Sequence, residues 1–140
     1  MVMMNGDAYV ESYFNNGDAP IVWPGFMDTT ELALWTAYEA TKARLPELAR
    51  LVSAEDWTFT RNLIHGPMQE VGREMLYINQ RLDRSQRKEA DKIARKLKEA
   101  LADLDEAARL QDSSRLQRSY SAVAAGFDAY SDVIPAEGLS

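Results

Sequence analysis

One long stretch of helical periodicity, interrupted by a glycine and a proline, limits the folds open to this sequence more than any other feature. Between residues 57 and 82 apolar side chains recur at steps of three and four, with Arg61 as an edge position and with Gly66 and Pro67 in the middle. The members of this stripe are Trp57, Ile64, Met68, Val71, Met75, Ile78 and Leu82. A loop at Gly66 and Pro67 would let the two flanks take unrelated phases, so the preserved phase predicts one long helix with a kink.

Three further apolar stripes of the same period predict three more helices. An N-terminal capping pair, Asp28 and Glu31, marks the start of the first helix, and Pro46 is expected to bend it. The kinked helix is expected to begin near Ser53, with Asp56 three positions on. The predicted helices cover about residues 28–51, 53–82, 85–109 and 113–134.

Short connectors between these helices make consecutive helices antiparallel neighbours. The predicted fold is therefore all-α, an up-down-up-down four-helix bundle over residues 28–135. An irregular N-terminal arm, residues 1–27, precedes the bundle, and a tail, residues 136–140, follows it.

Composition excludes several classes of function. A chain of 140 residues fits one domain, and its net charge of −6 weighs against nucleic-acid binding. With no cysteine, it has no disulfide, thiolate metal site or cysteine nucleophile. Its apolar runs are far shorter than the roughly 20 residues that cross a bilayer, so at most a peripheral attachment to a membrane is expected.

The bundle carries no motif for catalysis or for a cofactor of its own. A di-metal site in such a bundle needs two Glu-x-x-His pairs, and this chain has His65 as its single histidine. No phosphate loop, nucleophile elbow or inward carboxylate pair is present, so a non-enzymatic role is predicted. His65 is expected at the edge of the buried face, where it would bond a carbonyl freed by Pro67. The alternatives for His65 are a surface metal ligand shared with carboxylates and a contact to a partner.

Half of the 16 basic side chains lie between residues 84 and 109. Four of them form a line almost opposite the apolar stripe of the third helix, which we call the basic strip: Arg84, Lys88, Lys92 and Arg95. One interpretation is a solvated face with some pairing of charges four residues apart. The other is a docking strip for an acidic protein surface, whose binding would depend on salt.

The N-terminal arm contains no lysine or arginine but five of the 13 aromatic residues. They are Tyr9, Tyr13, Phe14, Trp23 and Phe26. Asn, Gly and Pro residues punctuate the arm and disfavour a helix there. The aromatic side chains therefore either pack on the helical domain or dock on a partner.

Residues 51–68 and 73–80 closely resemble the PsbQ family of extrinsic photosystem II proteins, and most of all the cyanobacterial form and the PsbQ-prime form of red-lineage algae. The resemblance rests on a tryptophan after an acidic pair, an arginine four residues on, and then Ile-His-Gly-Pro. The residues of this motif are Trp57, Arg61, His65, Gly66 and Pro67. The other helices agree in order and length, so the resemblance covers about residues 30–135.

The resemblance implies a non-catalytic subunit in the thylakoid lumen, attached to the photosystem II core at its lumenal face and inner antenna proteins. It implies support for other extrinsic subunits such as PsbO, PsbV and PsbU, and retention of calcium and chloride at a manganese cluster that other chains ligate. The cyanobacterial form resembles a lipoprotein with an N-terminal cysteine. This chain has none, so an algal chloroplast protein or a form without the anchor is expected.

Two rival functions stay open at this point. One is a cytosolic helical adaptor that shares the bundle by convergence. The other is a metal-binding bundle in which His65 supplies one ligand.

Overall fold

The computed structural model describes residues 29–134, and side chains from residue 32 onward. Six α-helices make up this part of the chain: α1, Thr29–Lys42; α2, Leu45–Ser53; α3, Trp57–His65; α4, Val71–Asn79; α5, Arg84–Leu110; and α6, Ser113–Val133. The predicted all-α fold class is confirmed. The predicted N-cap Asp28, the N-terminal arm and the tail lie outside the described residues.

The single kinked helix predicted for residues 53–82 is wrong, because residues 66–70 form a run of turns between α3 and α4. Pro67 lacks an amide hydrogen, and Gly66 leaves the helical conformation with φ −108 and ψ −101. Met68 N instead donates to Leu63 O at 3.1 Å. The Met68 side chain is only 1% exposed, so the turn itself continues the buried stripe.

The first predicted helix and the predicted start near Ser53 also need correction. Ser53 is the last residue of α2, and the Asp56 side chain caps α3 by accepting a hydrogen bond from Phe59 N at 3.1 Å. The expected bend at Pro46 is a break between α1 and α2, with Pro46 in the first turn of α2. A proline is tolerated in a first turn because the amide there has no helical partner.

The last two helices lie within one residue of the predicted bounds, and an aspartate caps the start of each. Asp83 accepts a hydrogen bond from Gln86 N at 2.9 Å, and Asp112 accepts one from Arg115 N at 3.1 Å. A side-chain acceptor at this position satisfies one of the four free amides of a helix start.

Helix α5 lies between α6 on one side and α3 and α4 on the other. Near its end, Asp103 accepts a hydrogen bond from Ser119 Oγ, early in α6, at 2.7 Å. Near its start, Asp91 accepts one from Asn79 Nδ2, at the end of α4, at 2.9 Å. These two bonds show that α5 runs antiparallel to α6 and to α4.

Helices α1 and α2 complete the bundle by packing against α4, α3 and α6. Thr41 Oγ1 donates to Glu74 Oε1 at 3.2 Å, and Lys42 Nζ donates to Ser131 Oγ at 2.7 Å. Both bonds lie near the end of α1, where the chain turns into α2.

An aromatic cluster and a hydrogen-bonded chain of side chains cross the core. The Tyr38 ring packs on Phe127 and Tyr130 at centroid distances of 6.0 and 5.1 Å, and burial raises the pKa of Tyr38 to about 12. The Tyr130 hydroxyl donates to Asn79 Oδ1 at 2.6 Å, and the Asn79 amide reaches Asp91. Buried polar groups need such partners, and this chain of bonds links α6 to the surface between α4 and α5.

Candidate partner-binding surface

The basic strip is an exposed line of cations on α5. Its four side chains are all exposed, and none forms an ion pair or hydrogen bond with another residue in the part of the chain that the structure describes. They recur at steps of four and three and therefore share one face of the helix. The pairing expected for a merely solvated face is not seen at these four positions.

Several other cations of the bundle form ion pairs with nearby carboxylates. Such pairs are Arg44 with Glu47, Arg73 with Glu70, Arg109 with Glu106, and Arg115 with Asp103. The four residues of the strip form no such pair among the described residues, so their positive charge is available to a partner. An exposed line of this kind attracts an acidic surface at low salt and less so at high salt.

Two adjoining hollows lie along α5 on the side of this helix that faces α3 and α4. Together we call them the groove. The first hollow, of about 320 Å³, lies beside the turn at residues 66–70. The second, of about 500 Å³, lies between α4 and α5. Both are lined by Gly72, Arg73 and Lys98. The first hollow lies where the chain leaves the helical path at Gly66.

Lys98 lies across the backbone of α4 at Gly72 and lines both hollows. A Cβ atom at Gly72 would come within 2.9 Å of Lys98 Cδ and 3.1 Å of Lys98 Cε. The apolar stem of a lysine packs on such a surface while its ammonium group stays in water. Glycine at this position is what lets the stem lie flat.

The motif residues Arg61 and His65 meet on one carboxylate of α5. Arg61 Nε donates to Asp105 Oδ1 at 3.0 Å, and His65 Nε2 lies 2.9 Å from the same oxygen. The expected bond from His65 to a carbonyl freed by Pro67 is wrong, since 60% of its side chain is exposed and it faces Asp105. The two side chains fix α3 to α5, while Trp57 packs partly buried on the core.

Neither the role of Asp105 nor the groove was predicted from the sequence. Two cationic or protonatable side chains four residues apart share one face of α3, and an antiparallel register brings the acidic end of α5 beside them. That spacing was the available signal for Asp105. No local sequence signal marked the groove, because it depends on Gly72 meeting Lys98.

The metal alternative for His65 requires further ligand side chains close to it. Within residues 29–134, no group of three or more histidine, aspartate or glutamate side chains could hold a metal ion. None of the helices in this range combines the length and the hydropathy of a membrane span. The arm aromatics Tyr9, Tyr13, Phe14, Trp23 and Phe26 lie outside the described residues, so their partner contact stays a prediction.

Comparison with known proteins supports the resemblance seen at the helix break. Residues 30–135, more than half of the chain, match the PsbQ family model, described as oxygen evolving enhancer protein 3. CyanoQ of Synechocystis sp. (strain ATCC 27184 / PCC 6803 / Kazusa) is 28% identical over 88 residues, which are 63% of this chain. The match spans 59% of that relative's length.

The family match confirms the resemblance. PsbQ proteins are non-catalytic extrinsic subunits of photosystem II. From the helix bundle, the motif around Gly66 and Pro67 and the match over residues 30–135, it follows that the chain belongs to the PsbQ family.

Proposed function

We propose that this chain is an extrinsic subunit on the lumenal side of photosystem II that binds the core through the basic strip and stabilises the oxygen-evolving complex. The observation that carries the proposal is the strip itself, which is exposed and uncompensated by described residues in a member of the PsbQ family. The proposed partners are the lumenal face of the core, the inner antenna proteins, and extrinsic subunits such as PsbO, PsbV and PsbU.

The strip suits a charged protein surface better than a small ligand. Its residues from Arg84 to Arg95 span about 16 Å along a rigid helix, at 1.5 Å per residue. Separate charges along such a line speed the encounter with an acidic surface and fix the register of the complex. A bundle held there covers part of the lumenal surface and slows the loss of calcium and chloride from the manganese cluster. An algal host stays a prediction.

Charge reversal in the strip tests this function. In photosystem II membranes stripped of extrinsic proteins, the double variant Lys88→Glu and Lys92→Glu should bind more weakly, with a flatter dependence on salt. Oxygen evolution at low calcium and chloride should recover less with this variant than with the unchanged protein. The measurements are co-sedimentation across a salt series and the oxygen yield.

The matched control is the double variant Arg50→Glu and Arg118→Glu, which makes the same change in net charge on α2 and α6. Both control residues are exposed. Equal binding by the strip variant and the unchanged protein at every salt concentration would remove the strip from the interface. Failure of the unchanged protein to bind stripped membranes at any salt concentration would refute the proposed function.

A further inference from the structure

We propose that the groove binds an extended segment of a photosystem II protein that carries a large apolar side chain flanked by carboxylates. This proposal rests on the proposed function and adds a second, apolar contact to the electrostatic one. It names the chemistry of the partner segment, which the basic strip alone does not specify.

The apolar part of the site comes from the two hollows. In the second hollow, Leu76 is 50% exposed and lies with Gly72 and Ala94. In the first, the lining includes Met68 and Leu101, whose own side chains are buried. A leucine left half in water at the wall of a concave site gains by burial under a partner's apolar side chain.

The rim of the groove is mainly positive. Arg95 and Lys98 line it and form no ion pair or hydrogen bond with other residues in the range 29–134. Arg73 is on the same rim, but its charge is paired with Glu70. Carboxylates on either side of a bound apolar side chain would therefore find two available cations.

Asp91 is the acidic residue among those lining the second hollow. Its carboxylate accepts the Asn79 amide at 2.9 Å, which holds it beside Asn79. Asp91 repels a carboxylate there, so the two carboxylates of the partner segment are placed beside Arg95 and Lys98.

The groove is continuous with the basic strip, because Arg95 belongs to both. A segment longer than one hollow requires the Lys98 stem to leave Gly72, and a lysine side chain does so without moving the backbone. The ammonium group is then free to meet a carboxylate of the segment. The strip would attract the acidic surface, and the groove would hold one of its side chains.

A photo-crosslinker at position 76 tests the identity of the occupant. The chain with p-benzoylphenylalanine in place of Leu76 is bound to stripped photosystem II membranes, irradiated and digested, and the cross-linked peptide is sequenced by mass spectrometry. The expected peptide comes from a photosystem II subunit and has a large apolar residue with carboxylates on both sides. A cross-link to a second copy of this chain, to its own residues 1–27, or to no protein would overturn the proposal.

Affinity measurements separate the groove from the strip. Leu76→Glu should weaken binding by about tenfold, as expected for a central apolar contact. Leu110→Glu is the matched control, because Leu110 is 51% exposed at the far end of α5, and it should change binding by less than about twofold. Unfolding in urea should be the same for both variants. Undiminished binding of Leu76→Glu, with strip variants still impaired, would refute the groove and leave the proposed function standing.

Discussion

Helix α5 meets α6 and α4 through two adjacent residues, Leu97 and Lys98, and the two contacts are filled in opposite ways. Toward α6, a Cβ atom at Gly126 would lie 3.0 Å from Leu97 Cδ1 and 3.2 Å from Leu97 Cβ. Toward α4, the corresponding glycine, Gly72, is covered by the stem of Lys98. One glycine faces a fully buried leucine, and the other faces a charged side chain that can move.

The difference separates stability from binding along the same helix. Toward α6 the contact is closed by an apolar side chain, and Arg115 there is paired with Asp103. Toward α4 the contact leaves two hollows, and Arg95 and Lys98 carry charge that described residues do not neutralise. Tight packing resists added volume, whereas an open groove accepts it.

The largest expected effect is on Gly126. Gly126→Val should lower the free energy of unfolding by about 2 kcal/mol, because the added methyl groups must displace the buried Leu97. Gly72→Val is the matched control and should change it by no more than about 0.5 kcal/mol, because Lys98 can swing away. Urea unfolding at pH 7 measures both. Equal losses would mean that the two sides of α5 are packed alike.

A smaller effect is expected from the bond that connects the core to the groove. Tyr130→Phe removes the hydroxyl that donates to Asn79 Oδ1, and it should cost about 1 kcal/mol of unfolding free energy. Tyr120→Phe on the same helix is the control, since Tyr120 makes no side-chain hydrogen bond with the described residues. A loss at Tyr120 as large as that at Tyr130 would show that the loss at Tyr130 does not come from its bond to Asn79.

The smallest effect is a pH dependence of opposite sign at two carboxyl groups. The Ser119 hydroxyl and the Arg115 guanidinium hold the pKa of Asp103 below its usual range, so Asp103 stabilises the fold at neutral pH and loses this effect as the pH falls through that lowered pKa. Because 44% of its side chain is exposed, Asp103→Asn should cost only about 0.5 kcal/mol at pH 7 and nothing at about pH 2.

Glu74 supplies the contrast to Asp103. Burial raises the pKa of Glu74. The contribution of Glu74 to the stability of the fold is therefore full at low pH and declines as the pH rises through that raised pKa. Glu74→Gln should therefore be more favourable relative to the unchanged protein at pH 7 than at low pH. The measurement is urea unfolding of both variants across pH. Parallel pH profiles for the two variants would contradict the assigned causes.

Features that lie within a single helix could be predicted from the sequence. The basic strip could be predicted because its four members follow the period of α5, and the bounds of α5 and α6 could be predicted because Asp83 and Asp112 are strong caps. Periodicity failed at Gly66, because the turn that follows buries Met68 in the same phase as a continuous helix would. The groove could not be predicted from the sequence, because it depends on which residue of α5 lies over Gly72.

The turn at residues 66–70 leaves α3 and α4 with nine residues each. Helices shorter than about 12 residues are marginal in water on their own, so these two depend for their order on the helices that they pack against, among them α5. A partner segment in the groove would touch both α4 and α5. Binding and local folding are then thermodynamically linked. Occupation of the groove would raise the free energy of local opening most in the half of the bundle that contains the two short helices.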